Sequence, residues 1–261
     1  MNFRIVDLSV RVDHHSPDEP WPAEVRRVDH RTAALQRAAA FGILPDEFPE
    51  GLHLANEEWH LITHVGTHMD APWHYGPTSG GRRARTIDEV PLEWCFGPGV
   101  VLDVSHRKAG EEIERADLER AVEAIGYTLH AGAIVLLYTG CDAYLGTKDY
   151  LEAHPGLSRE GLLWLLDQGI RVIGIDAYSL DRPFRVMAEA CKHVGPKALF
   201  PAHYAGRERE YCQIEKLCNL KAIGRAWGFW VAAFPIKLAG SGAGWVRAVA
   251  LVPEEDKREE V

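Results

Sequence analysis

Cysteine is scarce in this sequence: the five that occur stand apart, and none forms a Cys-x-x-Cys pair. An exported disulfide framework is therefore not expected, and the cysteine usage favours a reducing compartment. No apolar run reaches the roughly 18 residues that a transmembrane helix needs, so we expect no membrane span. The first residues alternate like a strand and lack the apolar region of a signal peptide. Together these absences predict a cytoplasmic protein.

The sequence also lacks an excess of basic residues. It carries 29 Lys and Arg against 38 Asp and Glu, which gives a net charge of −9. Neutralising a phosphate backbone needs a basic surface, so nucleic acid is not an expected partner. No repeat or low-complexity tract divides the chain of 261 residues. We predict one domain over residues 1–252, large enough to bury its own core without a structural metal.

The hydrophobic pattern of the middle third alternates between strand and helix. Between residues 100 and 176 it reads strand, helix, strand, helix, strand, which indicates parallel pairing in an α/β layer. Further strand patterns lie near both ends, so we predict an α/β fold with a mixed β layer. The predicted strands are residues 4–10, 59–63, 100–104, 133–138, 172–176, 229–236 and 245–252. The predicted helices are residues 31–41, 116–125 and 159–167.

Three segments stand outside this regular scaffold. Residues 13–57 are rich in proline, histidine and acidic side chains, and residues 76–85 are rich in glycine and arginine. Long irregular segments of a compact domain are either functional loops or solvated insertions. For residues 13–57 both interpretations stay open, a lid insertion over the site and a surface insertion. Residues 253–261 form a charged tail that we expect to be frayed.

Residues 64–74, HVGTHMDAPWH, place three histidines and one aspartate within eleven positions. Imidazole and carboxylate are the ligands of a catalytic divalent metal that keeps one position open for water or substrate. Gly66 and the Ala-Pro pair after Asp70 punctuate the run, which predicts a bent loop or one tight helical turn. Such a bend can gather His64, His68 and Asp70 around one point.

The residues between His64 and His68 also exclude one class of metalloenzyme. Zinc peptidases place their catalytic glutamate between two such histidines, and Val-Gly-Thr stands in its place here. A lone pair of histidines four residues apart is more often structural. The addition of Asp70 and His74 makes a metal site the favoured interpretation.

The whole motif resembles the signature of the cyclase family, which contains the bacterial kynurenine formamidases and the isatin hydrolases. The similarity covers about residues 1–10 and 58–252. Two departures stand out, Lys216 where the last block has asparagine and Tyr75 where kynurenine formamidases have phenylalanine. Further blocks that resemble the family are TIDEVPL at 86–92, VLDV at 101–104, Thr139-Gly140 with Asp142 and Tyr144, Gly174-Ile175-Asp176 with Ser179 and Asp181, and EKLCNL at 215–220.

The resemblance implies roles for six residues and a swivelling β/β/α fold. A first divalent ion is held by His64, His68 and Asp70. In binuclear members the aspartate bridges to a second ion, for which His203 and Glu215 are the candidate ligands; His203 as a loop histidine without that role stays open. His74 is implied as the catalytic acid and base. Zn²⁺ or Mn²⁺, one or two ions per chain, and a homodimer or higher homo-oligomer complete the expectation.

The chemistry of divalent metals predicts a function for this site. Metal-activated water predicts a hydrolase that cleaves a small amide, cyclic amide or aryl formamide. A metal-dependent cyclase or dehydratase, a lactone hydrolase and a metal-containing binding protein without turnover remain as alternatives. Trp73 and Arg82 are weaker candidates for substrate binding, against packing and an exposed basic pair. Cys212 and Cys218 are either soft ligands or, as we favour, buried residues on a short helix.

Overall fold

The computed structural model describes residues 2–21 and 23–254. The strands are β1 Phe3–Asp7, β2 Glu24–Val28, β3 Asn56–His60, β4 His68–Asp70, β5 Thr78–Ser79, β6 Arg82–Arg83, β7 Phe96–Asp103, β8 Glu112–Ile113, β9 Ile134–Tyr138, β10 Gly156–Leu157, β11 Val172–Ile175, β12 Cys212–Glu215, β13 Phe229–Ala232, β14 Ala243–Trp245 and β15 Val249–Pro253. The helices are α1 His30–Phe41, α2 Pro72–Tyr75, α3 Arg115–Ala124, α4 Arg159–Asp167, α5 Phe184–Val194 and α6 Pro201–Ala205. Short 3₁₀ helices lie in several of the connections.

The chain forms two compact units. The smaller unit comprises residues 13–15 and 20–62, and the larger one the rest of the chain. In the smaller unit β2 pairs antiparallel with β3, and α1 begins after Asp29, whose carboxylate accepts the backbone N–H of Thr32. Gly42 ends α1 in the left-handed conformation, as helix C-caps commonly do. The smaller unit contains nearly all of the segment predicted as an insertion, and its function as a lid stays a prediction.

A nine-stranded mixed sheet organises the larger unit, in the order β1-β15-β13-β7-β9-β11-β12-β4-β14. The central strands β7, β9, β11 and β12 run parallel, and every other neighbouring pair is antiparallel. Helices join the parallel strands: α3 between β7 and β9, α4 between β9 and β11, and α5 with α6 between β11 and β12. The predicted α/β fold with a mixed β layer is confirmed.

Both faces of the central strands are buried, which explains their continuous apolar runs. All five residues of β9 are buried. Its Val135 and Leu137 pack with α3 and α4 in one hydrophobic cluster, which also contains Leu118 and Leu162. The intervening Ile134, Leu136 and Tyr138 pack in a second cluster with residues of β1, β4, β13 and β15, so the sheet curls around this second core.

The structure corrects the sequence interpretation at three places. Residues 68–70 are strand β4 of the main sheet, where the sequence predicted a loop or a tight helical turn. Cys212 lies on strand β12 and not on a short helix, although both it and Cys218 are buried and free as favoured. Strand β12 and helix α5 were missed. Strands β4 and β12 are three and four residues long, too short for a hydrophobic period to appear in the sequence.

The structure also bears on the sequence predictions about a membrane span, the charged tail and the cysteines. Among the described residues no helix is both long and apolar enough to cross a membrane. The predicted tail at 253–261 begins at the last residue of β15, and residues 255–261 lie outside the described part. All five cysteines are within the described part, and none is bonded to another.

Asp117 anchors the start of α3 as a buried carboxylate. It is 1% exposed, accepts the backbone N–H of Glu114 at 2.8 Å, and pairs with Arg107 at 2.7 Å, with His106 at 2.9 Å and with Arg120. Burial raises the pKa of Asp117, but the hydrogen bonds from His106 and Arg107 outweigh it and hold the pKa below its ordinary value. The carboxylate therefore stabilises the folded chain only when it is ionised.

We expect Asp117→Asn to lower the free energy of unfolding at pH 7 by about 3 kcal/mol, because the arginines lose their buried partner. Since the folded pKa is depressed, this stabilisation is present above the unfolded pKa and is lost as the pH falls through the lower folded value. In urea unfolding, the difference between wild type and variant should shrink as the pH falls below the ordinary aspartate pKa of about 3.9. Asp7→Asn, which breaks the exposed pair with Arg247, is the control and should change stability by less than about 1 kcal/mol.

Candidate metal centre

The pairing of β4 with β12 places four polar side chains on one face of the sheet. His68 lies opposite Glu215, and Asp70 lies opposite Gln213. Directly opposed residues of antiparallel strands point to the same face, and so do alternate residues of one strand. All four residues therefore converge although 143 positions separate Asp70 from Gln213. They are buried: His68, Asp70 and Gln213 are 0% exposed.

A turn over residues 64–67 brings His64 to this face. Gly66 has φ +67°, a left-handed conformation that L-residues rarely adopt, and a Cβ built there would lie 2.7 Å from Val12 Cγ2. The backbone carbonyl of Gly66 in turn accepts a hydrogen bond from His68 Nδ1 at 2.8 Å. The glycine that the sequence identified as a bend is thus required both by its backbone angle and by the lack of space.

The two carboxylate oxygens of Asp70 face different partners. Oδ1 lies 3.0 Å from His64 Nδ1 and 3.3 Å from His68 Nε2, and these two nitrogens are 3.1 Å apart. A tetrahedral ion with bonds of about 2.1 Å separates its ligand atoms by about 3.4 Å, close to these spacings. Oδ2 lies 3.8 Å from His203 Nε2. The aspartate therefore stands between two imidazole groups, in the arrangement that a bridging carboxylate requires.

Each buried imidazole is oriented by a hydrogen bond at its other nitrogen. His68 donates from Nδ1 to the Gly66 carbonyl, which leaves Nε2 as the unprotonated nitrogen toward Asp70. His203 donates from Nδ1 to the Asp181 carboxylate, which also accepts the backbone N–H groups of Ala202 and His203 at 2.8 and 3.1 Å. Carbonyl or carboxylate partners of this kind fix the tautomer of metal-binding histidines.

The charge of the His203 ring depends on whether a cation is present. Burial lowers the pKa of His203, but the hydrogen bond and charge of Asp181, with the charges of Glu215 and Asp70, outweigh it and raise the pKa to about 9. The ring is then protonated at neutral pH in the absence of a metal ion. A bound cation replaces that proton, which couples metal affinity to pH.

Glu215 and Gln213 complete the buried cluster. Glu215 Oε2 lies 3.6 Å from His68 Nε2, and its Oε1 lies 3.7 Å from His203 Nε2. The Gln213 side-chain nitrogen donates to Asp70 Oδ2 at 2.9 Å and to Glu215 Oε1 at 2.8 Å, and it lies 2.8 Å from His203 Nε2. Rotation of this amide would present its oxygen to the same space, as a neutral ligand. The sequence analysis missed Gln213; its alternation with Glu215 would have identified it once a strand was assigned.

The residues at this cluster fit a divalent cation. Asp70 Oδ1 is buried and accepts no hydrogen bond of good geometry from any residue in the described part of the chain. Burial raises the pKa of Asp70, but the surrounding imidazoles, chiefly His74 and His68, hold it well below its ordinary value, so the group stays charged. A buried, charged oxygen that lacks a hydrogen bond is costly unless a cation compensates it. The sets His64, Asp70, His74 and His68, Asp70, Glu215 each converge closely enough to share one ion.

His74 stands at the solvent side of the cluster. It lies on α2, four residues after Asp70, with Nε2 3.9 Å from Asp70 Oδ2, and its side chain is 34% exposed. Its ring centroid is 4.3 Å from that of His64 and 5.5 Å from that of His203. Burial lowers the pKa of His74 more than the Asp70 charge raises it, so the ring is neutral at pH 7. A neutral, reachable imidazole beside the cluster is able to accept a proton.

Sequence blocks that resemble the cyclase family meet in space behind the cluster. Asp176 accepts three hydrogen bonds, from the backbone and hydroxyl of Thr139 at 2.8 and 2.6 Å and from Gly140 N–H at 2.9 Å. Ser179 donates its hydroxyl to Glu215 Oε1 at 3.1 Å. The ends of β9 and β11 are thereby tied together, and the loop after β11 holds one of the ligand candidates in position.

The two weaker candidates for substrate binding, Trp73 and Arg82, lie in different places. Trp73 neighbours His74 on α2, is 40% exposed, and has the Arg83 guanidinium carbon 5.9 Å from its ring centroid. Arg82 lies on β6 and lines a depression of about 210 Å³ together with Ser79, Arg171 and the segment 208–210, none of them cluster residues. The structure therefore places Trp73 beside the cluster and Arg82 in a separate depression. Substrate binding by either residue stays a prediction.

Fold and cluster together define an α/β protein with a histidine and carboxylate centre suited to a divalent metal. The family model described as "Putative cyclase" matches residues 6–182. The chain belongs to the cyclase family. It is 28% identical to a kynurenine formamidase of Geobacillus thermodenitrificans, over 67% of this chain and 69% of that protein. It is 27% identical to an isatin hydrolase of Roseibium aggregatum, over 74% and 73%.

Solved structures show the same fold. An isatin hydrolase bound to the product analogue thioisatinate superposes with a TM-score of 0.76, at 23% sequence identity, over 97% of this chain and 94% of that one. The fold therefore extends beyond the residues that the family model matches. It includes β12, which carries Gln213 and Glu215.

We expect Gly66→Ala to displace the turn that carries His64. The left-handed backbone and the contact with Val12 each oppose a methyl group, and together they should lower the free energy of unfolding by about 2–3 kcal/mol. Gly81→Ala is the matched control, because Gly81 has φ +74° with open space around its Cβ. Urea unfolding should show a clearly smaller loss for Gly81→Ala; equal losses would contradict a packing requirement at Gly66.

Proposed function

We propose that this protein is a metal-dependent hydrolase that cleaves the C–N bond of a small amide, either a cyclic amide or an aryl formamide. The observation that carries the proposal is the buried Asp70 carboxylate between His64 and His68 on one side and His203 on the other. The names of the relatives, a formamidase and an isatin hydrolase, support the substrate class. Zn²⁺ and Mn²⁺ both suit nitrogen and carboxylate ligands, and we propose one or two such ions per chain.

The chain's own residues supply orientation and proton transfer in this reaction. A bound divalent cation would polarise a carbonyl and lower the pKa of its bound water to about 7. His64, His68 and Asp70 would hold that cation, and His203 and Glu215 would be ligands of a second one. His74, neutral at pH 7, accepts the proton of the attacking water and returns it to the leaving nitrogen. Trp73, beside it on α2, provides an aromatic surface for the substrate.

The histidines should separate metal binding from proton transfer. We expect His68→Ala to lose bound metal and activity together, because a buried ligand is removed. His74→Ala should keep the metal and lose about 10²–10⁴-fold in kcat. The measurements are metal content by elemental analysis and turnover of N-formylkynurenine, isatin and simple lactones with added Mn²⁺ or Zn²⁺.

His193→Ala serves as the control, since His193 is an exposed histidine of α5 and should leave both readouts unchanged. A His74→Ala variant with full turnover would remove the proton-transfer role. Wild-type protein that binds the metal yet turns over no member of the panel would favour a binding protein, and lactone turnover alone would shift the substrate class.

The rate should fall on the acidic side at an unusually low pH. Burial keeps the pKa of His74 below the ordinary value near 6.5, so the neutral, proton-accepting ring persists to more acidic pH. We therefore expect the acidic limb of kcat/KM for the metal-loaded enzyme to lie below pH 6.5 and to disappear in His74→Ala. An acidic limb above that value would speak against His74 as the base.

Further predictions concern the location, the oligomeric state, the lid segment and the partners of the protein. The cytoplasmic location and the homodimer or higher homo-oligomer remain predictions, which fractionation and light scattering of the purified protein test. The lid function of residues 13–57 also stays a prediction. We propose a small-molecule substrate from the residue cluster and the names of the relatives. We propose no nucleic-acid partner, because the net charge is negative, and no membrane partner, because no apolar run is long enough to span a bilayer.

A further inference from the structure

Lys216 occupies a position that suits a lysine poorly. It follows Glu215 directly, its side chain is only 5% exposed, and its backbone has φ +57°. Lysine is rarely buried without a partner, and left-handed backbone favours glycine or asparagine. The block that this segment resembles has asparagine here. A residue that is disfavoured by both burial and backbone is retained where its side chain has a specific use.

The Lys216 ammonium group is fully engaged. It donates to the Glu19 carboxylate and to the backbone carbonyl of His64, the latter at 2.9 Å, and it lies 4.5 Å from the ring centroid of Tyr178. Glu19 is itself buried, with a side chain 8% exposed. An ammonium group has three donor hydrogens, and these three contacts surround it.

The same pair reaches the rest of the turn that carries His64. Glu19 Oε2 accepts the backbone N–H of Gly66 at 3.4 Å. Thr67 donates its hydroxyl to the Lys216 carbonyl at 2.6 Å. Three residues of the turn are thus fixed to Lys216 and Glu19, and through Lys216 to the strand that carries Glu215.

His64 depends on this support more than the other histidines of the cluster. His68 and His203 each have a carbonyl or carboxylate partner at the ring nitrogen that faces away from Asp70. For His64, the hydrogen bonds found among the described residues include no such partner at Nε2, while its Nδ1 faces Asp70 Oδ1 at 3.0 Å and His68 Nε2 at 3.1 Å. With no orienting partner at the outer nitrogen, the position of the ring depends more on its backbone, and Lys216 holds the carbonyl of that backbone.

We propose that Lys216 and Glu19 act as a positioning pair that fixes the His64 turn against Glu215 and thereby sets the spacing of the metal ligands. The inference rests on the proposed metal-dependent function of the cluster. The pair would act through the contact of Lys216 with the His64 carbonyl and the contact of Glu19 with the Gly66 N–H, and not as metal ligands.

The test measures metal affinity rather than turnover. Apo-protein is titrated with Mn²⁺ or Zn²⁺ against a chromophoric chelator, for wild type, Lys216→Met, Glu19→Gln and the double variant. We expect Lys216→Met to weaken binding by about 10–100-fold, the range found when the support of a metal ligand is removed. Because both residues act as one unit, the double variant should lose little more than Lys216→Met alone. Glu19→Gln keeps the shape of the side chain and carries the test if Lys216→Met does not fold.

Arg107→Met is the matched control, since it breaks an ion pair with the buried Asp117. It should lower stability and leave metal affinity unchanged. Equal loss of affinity in Lys216→Met and Arg107→Met would overturn the positioning role and leave only a structural one. Wild-type affinity in both Lys216→Met and Glu19→Gln would overturn the inference while the proposed function stands. A wild-type protein that binds neither ion would overturn both.

Discussion

The register between β4 and β12 is the constraint on which the rest of the site depends. It sets His68 against Glu215 and Asp70 against Gln213, all on one face. A slip of one residue would turn every one of these side chains to the opposite face, which is filled by Met69 and Ile214 of the second hydrophobic core. The apolar residues between the polar ones therefore fix the register. Hydrophobic burial on one side of the sheet determines the geometry of the polar cluster on the other.

This arrangement concentrates charge where burial opposes it. Two carboxylates and three imidazoles share a space from which water is largely excluded, and an uncompensated charge on Asp70 would cost several kcal/mol there. Two features compensate for this cost. Hydrogen bonds from His68 to the Gly66 carbonyl and from His203 to the Asp181 carboxylate orient these rings without consuming the nitrogens that face inward. The inward atoms are left to a cation, which explains why a buried carboxylate oxygen lacks a hydrogen bond in an otherwise well-bonded interior.

How much of this could be read from the sequence depended on distance along the chain. The motif at 64–74 is local, so its histidines and aspartate stood out, and the helix and strand periods of residues 100–176 were long enough to predict the parallel layer. Strand β12 is only four residues, Cys-Gln-Ile-Glu, with no flanking signal, and its partner β4 is shorter still. Their pairing, and with it Gln213, follows from a long-range register that no local pattern contains. His203 and Glu215 were reached only through family resemblance.

Secondary structure also separates the ligand candidates from His74, the proposed proton carrier. Strand alternation keeps His68 and Asp70 on the buried face at 0% exposure, while Pro72 starts a helical turn that carries the chain back over Asp70 and leaves His74 34% exposed. A metal ligand gains from exclusion of water, whereas a group that exchanges protons with the solvent needs access to it. The change from strand to helix within five residues meets both demands. An eleven-residue motif can therefore hold the ligand candidates and the proposed base together, because its two halves follow different backbone geometries.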